Sequence, residues 1–205
     1  MLAFCRKLHF LDAQRAVRFI RYHADKYQID PDRLGIMGFS AGGMQAAGTI
    51  NICRNRSVGE ILKDAGMDND VYQPDGIDAT EMKVAFAGLI YPMLGFSSNV
   101  PMMYAAFDKK TVDDEKQRQE LLKKYNVASY VQEGDIPQFL CIGTKDTMVT
   151  LDNSMEKYMA ALQQAGVMHQ YLPLEGALHG FGLGGKKYGI WVEKYLEWVQ
   201  GIVQK

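Results

Sequence analysis

The sequence predicts an α/β fold, a mainly parallel sheet of about four strands with helices on both faces. Three observations lead there. Short apolar runs bounded by turn residues alternate with stretches of helical period, one of these junctions carries a Gly-x-Ser-x-Gly pentapeptide, and the helix that follows is rich in small residues. Strand, helix and strand in succession require crossover connections, which set neighbouring strands parallel and cover both faces of the sheet.

From Asp12 to Tyr27, Ala13, Ala16, Val17, Ile20, Ala24 and Tyr27 recur at helical spacing while Arg15, Arg18 and Arg21 occupy other faces, the pattern of an amphipathic helix. Pro31 interrupts it, and residues 33–39 read as a short buried strand. Residues 41–54 form the small-residue helix, in which Ala46, Ala47 and Gly48 permit close packing on a sheet. Residues 55–80 are polar and read as an insertion with short helical pieces. Strands follow at 83–92, 138–143 and 168–174, with a charged helix near 113–125 between the first two. Asn153 and Glu156 suggest a capping box ahead of a helix striped by Met155, Tyr158, Met159 and Leu162. The last helix, about 187–203, carries Trp191, Tyr195, Val199 and Ile202 on one face.

A chain of 205 residues, 47% hydrophobic and 23% charged, suits a single domain over 1–205 with insertion-like segments near 54–82 and 93–136. A formal net charge of −1 without basic runs argues against nucleic acid or an anionic membrane surface as the main partner and favours a small, weakly charged molecule. Cys5, Cys53 and Cys141 are too few and too scattered for a disulfide framework or a zinc site, so reduced thiols are expected. The start of the chain lacks the basic-then-apolar layout of a signal peptide, and no apolar run approaches the length of a membrane span. The cytoplasm is the default location, with secretion or the periplasm the expectation if the natural N-terminus lies further upstream.

The chemistry centres on Gly38-Phe39-Ser40-Ala41-Gly42. Placed between a strand and a helix, this pentapeptide is the sequence form of a strained turn that presents a serine nucleophile. A serine hydroxyl needs a histidine to take its proton and a carboxylate to orient that histidine. On an α/β sheet these groups sit at the carboxyl ends of strands in the chain order serine, acid, histidine. Asp146 follows the third strand and His179 the fourth, which satisfies that order. Glu175 is the reserve acid, after the wrong strand for the usual order, while His9, His23 and His169 are placed less suitably than His179. Met93, Leu94, Phe96, Met102, Met103, Tyr104 and Phe107 are candidates to line an acyl pocket or to pack as core, and Phe181 has the same two readings.

The segments Leu11-Asp12 with Arg15 to Arg21, Ile29 to Leu34, Gly38 to Gly43, Leu89-Ile90-Tyr91-Pro92 and Gly176 to Phe181 resemble the α/β-hydrolase carboxylesterase/lipase-like family. The bacterial acetyl xylan esterase-like branch is the nearest in kind. The likeness covers most of 11–205 and loosens across 54–82 and 95–130, where substrate-shaping caps vary. It implies Ser40 as nucleophile, Asp146 as orienting acid, His179 as base and the Ala41 N–H as one oxyanion donor. It also implies hydrolysis of small or carbohydrate-linked acyl (acetyl) esters through an acyl-enzyme, with no metal or organic cofactor.

In that family a glycine-rich loop before the serine, commonly His-Gly-Gly, supplies a second oxyanion donor, and residues 1–37 contain no such motif. The resemblance therefore implies an α/β-hydrolase fold lacking its N-terminal part, with the serine strand left as a sheet edge. Such an edge invites pairing. The expected partner is a second copy, giving a homodimer, or a separate polypeptide that completes the sheet. The alternative function is that of a weakly active or inactive relative that self-associates through the same edge.

Overall fold

The computed structural model describes residues 9–64, 72–96, 100–149 and 154–204. Four strands, β1 (Gly35–Phe39), β2 (Phe86–Ile90), β3 (Gln138–Gly143) and β4 (His169–Leu174), form one parallel sheet in the order β1-β2-β3-β4. β2 and β3 are buried along their whole length, as the apolar runs at 86–90 and 139–142 require. Among the described residues β1 pairs with β2 alone, which makes the strand leading to Ser40 an edge.

The helices are α1 (His9–Tyr22), α2 (Ala24–Tyr27), α3 (Ala41–Ile50), α4 (Val58–Asp64), α5 (Val100–Ala106), α6 (Lys109–Asp113), α7 (Glu115–Lys124), α8 (Glu156–Gln164), α9 (Gly185–Tyr188) and α10 (Ile190–Val203). The two faces of the sheet are covered differently. Phe39, Phe86 and Phe139 meet an aromatic row on α10, with Trp191 5.8 Å from Phe39, Tyr195 5.3 Å from Phe139 and Trp198 6.1 Å from Phe86. Each of these pairs is edge-on or steeply inclined, the arrangement that aromatic quadrupoles favour.

The opposite face carries α3, whose first turn lies so near β1 that a Cβ on Gly38 would stand 1.9 Å from the Gly42 carbonyl oxygen. Only glycine permits that approach. Behind α3, the fully buried Tyr158 hydroxyl donates to Gln138 Oε1 and accepts from Asn51 Nδ2, each at 2.7 Å. This network joins α8, β3 and the end of α3, and complete burial raises the phenol well above its ordinary pKa.

Element boundaries move by a few residues from the sequence reading. The first helix breaks at His23, and residues 31–33 form a 3-10 turn capped by Asp30, whose side chain accepts from Asp32 N–H at 2.9 Å. Asn153 and Cys5 lie outside the described residues, so the capping box does too; Cys53 and Cys141 are both buried. The orientation of α1 differs more deeply. Its arginine-bearing side faces inward: Gln14 donates to the Cys53 carbonyl at 2.8 Å, and Arg18 is buried with Nε donating to the Thr80 carbonyl at 3.0 Å. Arg15 grips both Asp75 oxygens, at 2.7 and 2.8 Å, and holds that carboxyl down at about 2. Phe19, Ile20, Tyr22 and Tyr27 are exposed in consequence. Phe10, Leu11 and Val17 of the same helix are buried in the core, so apolar contact and the hydrogen-bond acceptors of the 72–83 segment together decide which face turns in.

Gly38→Ala is expected to cost at least the roughly 1–3 kcal/mol of an overpacked core. At about 2–4 °C per kcal/mol for a chain of this size, differential scanning calorimetry should register a drop of several degrees. Gly42→Ala adds a Cβ with no neighbour within 4 Å and should stay within about 1 kcal/mol of the parent.

Candidate active site

Parallel pairing in register aligns the carboxyl ends of the strands, with Phe39 opposite Ile90, Ile90 opposite Cys141 and Gly143 opposite Leu174. The residues that leave those ends converge. Ser40, directly after β1, has φ 52 and ψ −117, a conformation strained for any residue but glycine. Its N–H donates to the Ile90 carbonyl at 3.0 Å, and its carbonyl accepts from Met44 N–H at 3.2 Å and Met93 N–H at 3.1 Å. These bonds to β2, to α3 and to the chain beyond Pro92 hold the strained turn.

Ser40 Oγ is 2.8 Å from His179 Nε2, and His179 Nδ1 is 2.8 Å from Asp146 Oδ2. A carboxylate only accepts, so Nδ1 carries the imidazole proton and Nε2 is left to accept from the serine hydroxyl. The other Asp146 oxygen accepts from Met148 N–H and Val149 N–H, both at 2.9 Å, which fixes the carboxylate by three bonds. Its side chain is almost fully buried and that of His179 mostly so, whereas Ser40 is partly open. The loops carrying acid and histidine are also laced together. Thr144 N–H donates to the Leu174 carbonyl at 3.0 Å, Lys145 N–H to the Ala177 carbonyl at 3.0 Å, and Gly176 N–H to Thr144 Oγ1 at 2.8 Å. A Cβ at Gly143 would lie 2.2 Å from the Ala177 oxygen, so glycine sets how closely these loops approach.

The three residues expected from the sequence are thus brought together. Ala41 opens α3, where its N–H has no intrahelical acceptor and the helix dipole is positive, beside the serine oxygen. Glu175 is exposed and His179 turns to Asp146 instead. His169 bonds the Val167 carbonyl at 2.8 Å and His23 packs among Phe19, Tyr22 and Tyr27; neither joins the serine, and the side chain of His9 lies outside the described residues. Chemically, a hydroxyl with an adjacent acceptor nitrogen oriented from behind by a carboxylate can attack an electrophilic carbon and pass its proton to the imidazole.

A cavity of about 500 Å³ opens beside Ser40 and His179. Of the residues proposed to line it, Met93, Phe96, Met102 and Phe107 do so, while Leu94 and Met103 are core and the Tyr104 hydroxyl turns outward to Asp113. Met44, Gln45, Tyr125, Met148 and Val149 also contribute, and the sequence reading did not select them.

Tyr91 is the other residue missed. It leaves β2 at φ 37, its N–H donates to the Cys141 carbonyl at 2.6 Å, and its ring stands edge-on to His179 at 5.0 Å and Phe181 at 4.5 Å. Burial raises its phenol pKa, opposed by a hydrogen bond from Gly182 N–H that ties it to the histidine loop. Phe181 itself packs between Tyr91 and Trp191, the structural one of its two readings.

The family model designated BD-FAE matches residues 8–160, about three quarters of the sequence. The chain belongs to the BD-FAE family. Among curated proteins, this BD-FAE chain is 26% identical over 184 residues to endo-1,4-beta-xylanase B of Butyrivibrio fibrisolvens, spanning 86% of itself and 25% of that protein. Among solved structures it is similar to an acetyl ester-xyloside bifunctional hydrolase from Caldicellulosiruptor lactoaceticus, with 25% identity, a TM-score of 0.66, and coverage of 94% of this chain and 66% of that one. A butyrate-bound thermophilic esterase from the Planctomycetes species Thermogutta terrifontis gives 23% identity, a TM-score of 0.70, and coverage of 98% and 66%. A truncated carbohydrate esterase from gut microbiota gives 20% identity, a TM-score of 0.74, and coverage of 96% and 68%. The BD-FAE chain thus spans a quarter of the xylanase and about two thirds of the solved structures.

Tyr91→Leu removes two edge-to-face contacts worth about 0.5–1.5 kcal/mol each, so labelling of Ser40 by a fluorophosphonate is expected to slow on the order of tenfold. Tyr91→Phe keeps the rings and should label within about threefold of the parent, followed by intact-mass spectrometry.

Proposed function

We propose that the protein is a serine carboxylesterase-type hydrolase that cleaves small or carbohydrate-linked acyl esters through an acyl-enzyme. The observation that carries this reading is the continuous relay of 2.8 Å contacts from Ser40 through His179 to Asp146, set beside an open cavity. The names of the similar proteins support it, since they include an acetyl ester-xyloside hydrolase, an esterase and a xylanase.

In this mechanism Ser40 Oγ attacks the ester carbonyl carbon while His179 Nε2 takes its proton. Asp146 stabilises the imidazolium without itself taking the proton. The negative charge arriving on the carbonyl oxygen is met by the Ala41 N–H and the positive end of α3. Collapse expels the alcohol, which receives the proton from His179. Water, activated by the same imidazole, then attacks the acyl-serine carbonyl and releases the acid. We assign the 93–136 segment of this single domain to shaping the substrate site, because it supplies Phe96, Met102, Phe107 and Tyr125 to the cavity wall.

We further propose that two copies associate through β1. Met37 on that strand is 38% exposed, and Phe19, Ile20 and Tyr22 of α1 are exposed as well. An unpaired edge flanked by apolar side chains favours antiparallel pairing across a two-fold axis. Among the described residues no helix is long and apolar enough to cross a membrane.

Hydrolysis of p-nitrophenyl acetate should exceed that of Ser40→Ala under the same conditions. Asp146→Asn, which disturbs the imidazole tautomer, should lower kcat by roughly 10⁴-fold. Equal rates for the parent chain and Ser40→Ala, with no fluorophosphonate adduct, would sink the esterase reading. Sedimentation velocity at micromolar concentration should show a dimer that Met37→Lys converts to monomer; a monodisperse monomer of the parent chain overturns the edge pairing.

A further inference from the structure

We propose that the site prefers esters whose acyl part is a saturated chain of about six to eight carbons over acetyl esters, an inference that rests on the esterase reading above. The cavity is the first observation. At about 500 Å³ it falls within the range of roughly 300–1,000 Å³ typical of sites for drug-sized ligands. A methyl-sized group takes about the volume of one water, roughly 30 Å³, so an acetyl methyl leaves nearly all of this cavity unfilled. An eight-carbon acyl chain takes roughly 240 Å³ by the same measure and occupies about half of it.

The lining is the second observation. Among the described residues, every side chain facing the cavity apart from Ser40, Gln45, Tyr125 and His179 is apolar. Four are methionines, Met44, Met93, Met102 and Met148, whose unbranched thioethers adapt to a flexible occupant rather than to one rigid shape. A sugar hydroxyl placed against this wall would lose its hydrogen bonds to water without replacement.

Polarity also decides which half of the ester enters. The leaving oxygen must stay within reach of His179 Nε2, its proton donor. Ser40 and His179 are partly exposed, whereas Met44, Phe96 and Tyr125 at other parts of the wall are buried. The alcohol therefore leaves on the open side, where a carbohydrate stays hydrated, and the acyl chain extends into the apolar interior. Met148, 55% exposed, adds apolar surface to the cavity wall.

Each methylene transferred from water to such a wall contributes up to about fourfold, or about 0.8 kcal/mol. Part of that gain goes to ordering the chain. The experiment is kcat/KM for p-nitrophenyl acetate, butyrate, hexanoate and octanoate, which share one leaving group, with Ser40→Ala subtracted at every chain length. The expected result is a maximum at hexanoate or octanoate, at least about tenfold above acetate. A maximum at acetate or butyrate overturns this inference and leaves the esterase reading standing. No hydrolysis of any ester together with no fluorophosphonate labelling overturns the esterase reading, and this inference with it. Ala106→Phe, which fills part of the cavity, should lower the octanoate-to-acetate ratio at least about tenfold. An unchanged ratio in a variant with a cooperative melt overturns the assignment of the cavity to the acyl chain; if that variant fails to fold, the parent chain-length series decides alone.

Discussion

The site depends on the turn at Ser40, where the chain leaves an edge strand and enters a helix with almost no room between them. The missing side chain at Gly38 lets α3 lie against β1, and that contact forces the intervening serine into a backbone conformation that a non-glycine residue does not otherwise hold. Bonds to Ile90, Met44 and Met93 keep it there. The hydroxyl then faces a histidine that comes from the far side of the sheet. Were the turn relaxed, Asp146 and His179 would still be joined to each other, but no nucleophile would stand before them.

The acid and base are secured by different means. Asp146 is buried and fully engaged by two backbone N–H groups and one imidazole, so its position follows from local loop geometry after β3. His179 sits in a glycine-rich loop and is steadied from outside, by Asp146 on one nitrogen and by the Tyr91 ring against its face. Every strand end therefore contributes: the serine after β1, the tyrosine after β2, the carboxylate after β3 and the histidine after β4.

Those residues were legible to different degrees for physical reasons. Ser40, Asp146 and His179 could be read because a parallel sheet places functional groups after strand ends, and three short apolar runs locate those ends within a few residues. Tyr91 occupies the same kind of position, and it stood in one of the segments that carry the family resemblance. Its part in the site is a ring contact with a residue far along the chain, for which periodicity has no signature. The inward face over α1 and α2 was legible only in part, at Val17 and Ala24, for a related reason. Apolar spacing ranks Ile20 and Tyr27 as inward, but the carbonyls and carboxylates of 72–83 bind Arg15 and Arg18, and the sequence of α1 contains no record of them. The apolar loop after β2 was half legible, since composition marks it as able to line a pocket without telling lining from core.

The layout also separates what can vary in length from what cannot. Removing one residue from any strand would turn its remaining side chains to the wrong face and pull a reacting group out of line. The excursion between Pro92 and Gln138 is bound by no such rule, because it leaves from one fixed strand end and returns to another while supplying much of the cavity wall. Insertions and deletions there, beyond the Met93 bond to Ser40, would remodel what the site admits without moving the groups that react. In a fold arranged this way, new substrate ranges arise by lengthening or shortening one connecting segment, and the strands beneath can keep their lengths throughout.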